Sequence, residues 1–188
     1  MVHTLFAGET ISYDGSQLSS LWAFKRFRLQ GDSIVAFRGP CEVKGDSLVD
    51  MADRLQGSFI YSPDMLHFIA EHFENDLGRA VLRQRFFAAL VKEILEEELT
   101  EHLNRQGDDL FAKERKLSVS IATVTPVSTM FHFGINIRTE GVPVAAVGLL
   151  ELGWPESKLP ELALRMLAAY SREMEGVDLA RCKVRGVP

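Results

Sequence analysis

Lys116 opens an apolar, β-favouring run, Lys116-Leu117-Ser118-Val119-Ser120-Ile121. On a regular strand alternate side chains share a face. Lys116, Ser118 and Ser120 would then point one way and Leu117, Val119 and Ile121 the other. An ammonium beside two hydroxyls could line a polar cleft. The same pattern also describes an edge strand guarded by a lysine. A second candidate is Arg38-Gly39-Pro40-Cys41. Its guanidinium could grip the anionic end of a ligand through a planar fork. A thiol beside that arginine could be a nucleophile if its pKa were lowered, against the plainer reading of a buried cysteine.

The histidines offer less. His67, Glu71 and His72 fall together on an expected helix, where residues five apart diverge by about 500°. Neither a His-Glu-x-x-His nor a His-x-x-Glu-His pattern is present, so no metal site is expected. His132 could face a ligand slot or sit in the core. Glu96-Glu97-Glu98 reads as a solvated helix face without function.

The elements that must position these residues can be outlined from turn signals and periodicity. Asp14-Gly15 is a turn, and Ser16 is expected to cap a helix carrying Leu18, Leu21, Trp22 and Phe24. Ser33–Phe37 reads as a strand ending at Gly39-Pro40, with further short strands near Leu48-Val49 and Ser58–Tyr61. Ser62 before Pro63 predicts the start of a helix with the stripe Met65, Leu66, Ile69 and Phe73. A longer helix is expected from about Leu77 to Leu103. Leu117–Val124, Thr129–Ile137 and Pro143–Leu149 then read as an antiparallel meander. A last helix is expected from about Glu156 to Met174. Segregated helices and strands make the fold class α+β, a central mainly antiparallel sheet flanked by helices.

Length and composition bound the rest. At 188 residues, against roughly 100–200 per domain, one domain spanning 1–188 is expected. With 46% hydrophobic and 25% charged residues the chain is not of a disordered type. A formal net charge of −5 argues against nucleic acid or a polybasic membrane contact as partner. The cysteines Cys41 and Cys182 can build neither a disulfide framework nor a Cys-rich zinc site. No secretory leader and no membrane-length apolar run is visible, so a cytoplasmic location is expected.

Several motifs resemble known families. Asp109-Leu110-Phe111 followed by Arg115-Lys116-Leu117 is similar, at the same spacing, to the Asp-Leu-Tyr and Arg-Lys-Leu-Ala-Gly elements of biotin protein ligases. Lys116-Leu117-Ser118-Val119-Ser120 resembles the Lys-Ile-Ser-Gly-Ser strand of lipoate protein ligases. Phe133-Gly134-Ile135-Asn136 resembles the Gly-Ile-Asn strand of the biotin enzymes, and His132 falls near a His-Gly pair of the lipoate enzymes. Asp14-Gly15-Ser16-Gln17 is similar to the Asp-Ser-Thr-Asn helix start of the biotin enzymes. Tyr13-Asp14-Gly15-Ser16-Gln17-Leu18, Phe37–Cys41 and Lys116–Thr123 more closely resemble the prokaryotic family called domain of unknown function 366.

The resemblance implies a biotin/lipoate ligase-like fold and an acyl-adenylating ligase or acyl transferase acting on a small carboxylate or its thioester. The alternative is a non-catalytic module binding a metabolite or protein on the same fold. It implies Lys116 as the catalytic lysine, with Cys41 as a possible acyl acceptor. Arg38, Gly39, Ser16, Gln17, Asp109, Ser118, Ser120, His132 and Asn136 would bind ligand. ATP and Mg²⁺ are the implied cofactors, with an acyl-carrying protein domain and a further copy of the chain as candidate partners. The chain departs from these families where they wrap an acyl-adenylate: only Arg38-Gly39-Pro40-Cys41 stands in place of a Gly-rich loop. Val119 replaces the glycine of the lysine strand, and Arg105 replaces the lysine that opens the turn element. Few backbone N–H groups are left for a phosphate, which argues against a nucleotide and leaves an acyl-shaped slot.

Overall fold

A computed structural model describes residues 1–187. Along the chain run β1 (His3–Thr10), α1 (Trp22–Phe27), β2 (Ser33–Lys44), α2 (Met51–Leu55), β3 (Phe59–His72) and α3 (Leu77–Glu96). They are followed by β4 (Leu103–Gln106), β5 (Asp109–Ala112), β6 (Arg115–Lys116), β7 (Ser118–Val124), β8 (Thr129–Arg138) and α4 (Leu159–Arg181). The main sheet has the order β1-β2-β3-β8-β7. Its β1–β2 pair is parallel and the other pairs are antiparallel. β4, β5 and β6 form a small second sheet. The class is α+β, as expected.

Period-two alternation on the central strands gives the sheet two buried faces. Ile34, Ala36, Leu66, Phe68, Phe131, Phe133 and Ile135 join a core with α3 and α4 residues such as Val91, Leu162 and Met166. Phe87 of α3 lies 5.1–5.6 Å, ring to ring, from Phe68, Phe131, Phe133 and Tyr170. On the other face Val35, Phe37, Cys41, Met65, Ile69 and Met130 pack with Tyr13, Ala23 and Leu48.

The segment expected to be a helix after Pro63 is instead β3, the strand between β2 and β8. Burial on both faces produces a near-continuous apolar run, which periodicity cannot separate from a helix. Pro63 is tolerated because it sits beside a register shift, where no ladder N–H is needed. β2 likewise runs through Gly39-Pro40 by a bulge rather than ending there. The expected helix start at Ser16 is a turn, and α1 begins only at Trp22. Leu21 takes a left-handed φ of 65° while its N–H donates to Glu71 Oε1 at 2.8 Å. Leu48-Val49 is not a strand; the chain there leads into α2. α3 ends at Glu96, whose carboxylate accepts the Leu103 N–H at 2.8 Å and turns the chain into β4. Pro143–Leu149 makes a single bridge, Lys116 to Ala146, in place of a third meander strand. β1 and the hairpin β4–β5 carry no clear alternation in the sequence.

Candidate functional site

β5, β6, β8 and the entry to β3 surround a cleft of about 640 Å³. Phe59, Ile60, Tyr61, Met65, Val119, Val142 and Val144 give it apolar walls, and Asp50, Asp53, Asp108, Asp109, Lys116 and Asn136 give it polar ones. Lys116 is held firmly through its backbone. Its N–H donates to Ala145 O at 2.9 Å, and its carbonyl accepts from Val147 N at 3.0 Å and Asn136 Nδ2 at 3.3 Å. The side chain, 30% exposed, places Nζ 2.8 Å from Asp109 Oδ2. Burial pushes the Asp109 carboxyl above the usual carboxylate range, outweighing the attraction of Lys116.

A smaller, deeper pocket of about 60 Å³ adjoins the cleft, and Asp50, Asp53, Ile60, Val119 and Ser120 line both. Tyr13, Cys41, Ile121 and His132 form its inner end. Tyr13 stacks on His132, centroids 3.8 Å apart. His132 Nε2 lies 3.0 Å from His67 Nδ1, and His67 Nε2 lies 3.0 Å from Gly39 O.

Lys116, Asp109, Ser120, Asn136, His132 and Cys41 are thus brought to these connected spaces. The other expected ligand residues lie elsewhere. Arg38 points to the helix face of the sheet. There Asp64 accepts from its Nε at 2.9 Å and Nη2 at 2.5 Å, and Glu156 accepts from Nη2 at 2.5 Å. These carboxylates leave no open fork for a ligand. Gly39 serves close packing: a Cβ there would meet Ile11 O at 2.0 Å. Ser16 is exposed and bonded to Asp14, while Gln17 is buried against Ser12 O and Asp14 N.

The shared Lys/Ser/Ser face does not form, because regular alternation breaks at Leu117 between β6 and β7. Ser118 is wholly buried and accepts from Leu110 N at 2.9 Å. The Ser120 hydroxyl donates to Asp108 Oδ2 at 2.8 Å and accepts from Gln84 Nε2 at 2.8 Å. Cys41 lies beside no free cation, and burial pushes its thiol up to about 12. The condition for an activated nucleophile is therefore not met.

The sequence reading missed Asp50, Asp53, Asp108 and Tyr13. Asp108 was adjacent to the Asp109 motif, and Asp50 caps α2 through Ala52 N and Asp53 N. Tyr13 opens a motif of the resembled family but was given no role there. Among the described residues no group of three His, Cys, Asp or Glu side chains is arranged to hold a metal. No described helix is long and apolar enough to cross a membrane.

A family model described as "Domain of unknown function (DUF366)" matches residues 2–185. The chain belongs to this family. An uncharacterised protein of Methanocaldococcus jannaschii is 35% identical over 180 residues, 93% of this chain and 80% of that one. A solved structure from Pyrococcus horikoshi, titled a protein of unknown function, is 40% identical over the whole of both chains, with a TM-score of 0.93. The DUF366 fold is also that of the ligases. The biotin protein ligase from Aquifex aeolicus, in complex with biotin and ATP, matches with TM-score 0.59 and 17% identity, over 92% of this chain and 72% of that one. A T. acidophilum structure with bound lipoic acid, assigned provisionally as a lipoate protein ligase, matches with TM-score 0.62 and 12% identity, over 92% and 86%. At these identities the likeness is one of fold.

Proposed function

We propose that the cleft binds a small carboxylate or acyl compound, and that Lys116 holds its carboxyl or acyl carbonyl oxygen. The observation that carries this reading is the Lys116–Asp109 pair at 2.8 Å, on a lysine fixed by its backbone at the rim of an apolar-walled cleft. An ammonium so placed favours negative charge on a carbonyl oxygen, as a ligase- or acyltransferase-like reaction requires. The apolar wall from Phe59 to Met65 and Val119 would take the acyl chain.

The residues present do not fit the phosphates of ATP. Arg38 is neutralised by Asp64 and Glu156, and four aspartates line the cleft with one lysine. A polyphosphate there would meet like charge without a backbone N–H cradle. This favours an already activated acyl compound, or binding alone, over adenylation of a free acid.

Calorimetric titration with octanoate, lipoate, biotin and an octanoyl thioester tests the reading, with Lys116→Ala as control. Lysine-dependent binding of any of them supports it. Absence of binding by the whole panel, or binding unchanged in Lys116→Ala, overturns it. ATP–pyrophosphate exchange with the same acids should be silent.

A further inference from the structure

The inner end of the deep pocket has a polarity fixed by three hydrogen-bonding groups in series. Gly39 O can only accept, so the His67 Nε2 at 3.0 Å must carry the proton. His67 is fully buried, and burial holds it neutral, with its pKa down to about 4. A neutral imidazole protonated at Nε2 has a bare Nδ1, which can only accept. The His132 Nε2 lying 3.0 Å from that Nδ1 must therefore donate to it. His132 is also held neutral, by burial and by its neighbour His67. Its own Nδ1 is then left as an acceptor.

That second nitrogen is not used internally. Among the described residues Trp154 Nε1 is the one buried side-chain nitrogen or oxygen without a partner. His132 Nδ1 pairs with no protein group, so it reaches accessible space, and the space His132 lines is the deep pocket. Tyr13 covers the ring face at 3.8 Å and keeps the imidazole from turning. On the other side, a Cβ at Gly134 would lie 3.2 Å from His132 Cε1 and 3.3 Å from Nε2, so the glycine leaves the ring close against the backbone of its own strand. The other titrating groups at this end are uncharged: burial raises both the Tyr13 phenol and the Cys41 thiol.

We infer that His132 is a specificity-determining residue whose Nδ1, fixed as an acceptor by the His67–Gly39 relay, selects ligands that bring a neutral N–H or O–H donor into the deep pocket. This rests on the proposed use of the cleft and adds the chemistry of the ligand's far end: an amide, ureido or hydroxyl group rather than a bare hydrocarbon tail. About 60 Å³ accommodates such a group, since one water needs about 10–15 Å³ on this scale. A hydrocarbon end would leave a buried acceptor unpaired and bind about ten- to a hundredfold more weakly. His67 is the positioning residue, acting only through His132.

The test needs no carboxylate and so stands apart from that of Lys116. Long-range proton–nitrogen NMR on the ¹⁵N-labelled full chain at pH 7 reads each histidine tautomer directly. Both His67 and His132 are expected as the Nε2–H form. Acetamide and acetone are near-isosteric probes that differ in the N–H donor. Acetamide should shift the His132 Nδ1 resonance in a saturable way, and acetone should not. An Nδ1–H tautomer at His132, equal responses to both probes, or no response to acetamide would each overturn the inference. Should acetamide respond while every carboxylate fails to bind, the donor-selective pocket stands and the Lys116 reading falls.

Discussion

Asp109 and Lys116 face each other across the β5–β6 turn, Oδ2 to Nζ 2.8 Å, yet the carboxyl remains harder to ionise than a free aspartate. A raised carboxyl pKa means that ionisation opposes folding. The contribution of Asp109 to stability is therefore greatest below its unfolded pKa and is lost as pH rises through the folded one. Asp109→Asn should leave melting at pH 7 unchanged or raised, read by calorimetry. Lys116→Ala should change stability by no more than about 1 kcal/mol. It should also weaken carboxylate binding about ten- to a hundredfold, the scale of one lost charge-assisted hydrogen bond. A clear loss of stability in Asp109→Asn would mark the pair as a structural strut instead.

Cys41 is wholly buried and Cys182 is exposed. Native protein treated with a thiol reagent at pH 8 should label once, at Cys182, and twice only after denaturation. Rapid native labelling of Cys41 would contradict its burial and the raised thiol.

Arg38 joins β2 and β3 to the turn before α4 through Asp64 and Glu156, and Arg138 reaches the same Glu156 at 2.9 Å. Arg38→Ala should lower stability by about 1–2 kcal/mol, with part of the loss masked at high salt. Ligand affinity should not change. Loss of binding at wild-type stability would return Arg38 to the site.

His67 supplies a pH signature. Its pKa is depressed from 6.5 unfolded to about 4 folded. Its contribution is full above the unfolded value and is lost progressively as pH falls from about 6.5 towards 4, because only the unfolded chain takes the proton. His132 is lowered in the same direction and adds to the slope. Melting curves across that window should show a steady loss of stability, and His67→Phe should reduce its steepness. A flat profile for the wild-type chain would mean that neither histidine is held neutral.

The lysine strand, the α+β class, α3, α4 and the β7–β8 hairpin were legible from the residues themselves. Each depends on local signals: turn residues, a helical stripe, or a β-branched run beside a turn. Asp109 and Lys116 stood as separate site candidates through a resemblance, but their contact was not legible: Lys116 pairs with Phe111, and Asp109 reaches it diagonally across the hairpin. β3 was not legible either, because a strand buried on both faces is apolar throughout and its Pro63 mimics a helix start. What Arg38 and His132 do was equally beyond the sequence. A side chain one residue further along a strand points to the opposite face, so the bulge in β2 and the break at Leu117 decide which groups meet. Composition and order of residues therefore determined the layers and one lysine of the cleft. The neutralisation of Arg38 by Asp64 and Glu156, 26 and 118 residues away, and the relay from Gly39 through His67 to His132, across 28 and 65 residues, were decided by the tertiary structure. Such distances carry no local signal, because hydrogen-bond geometry acts only between groups the fold has already brought together.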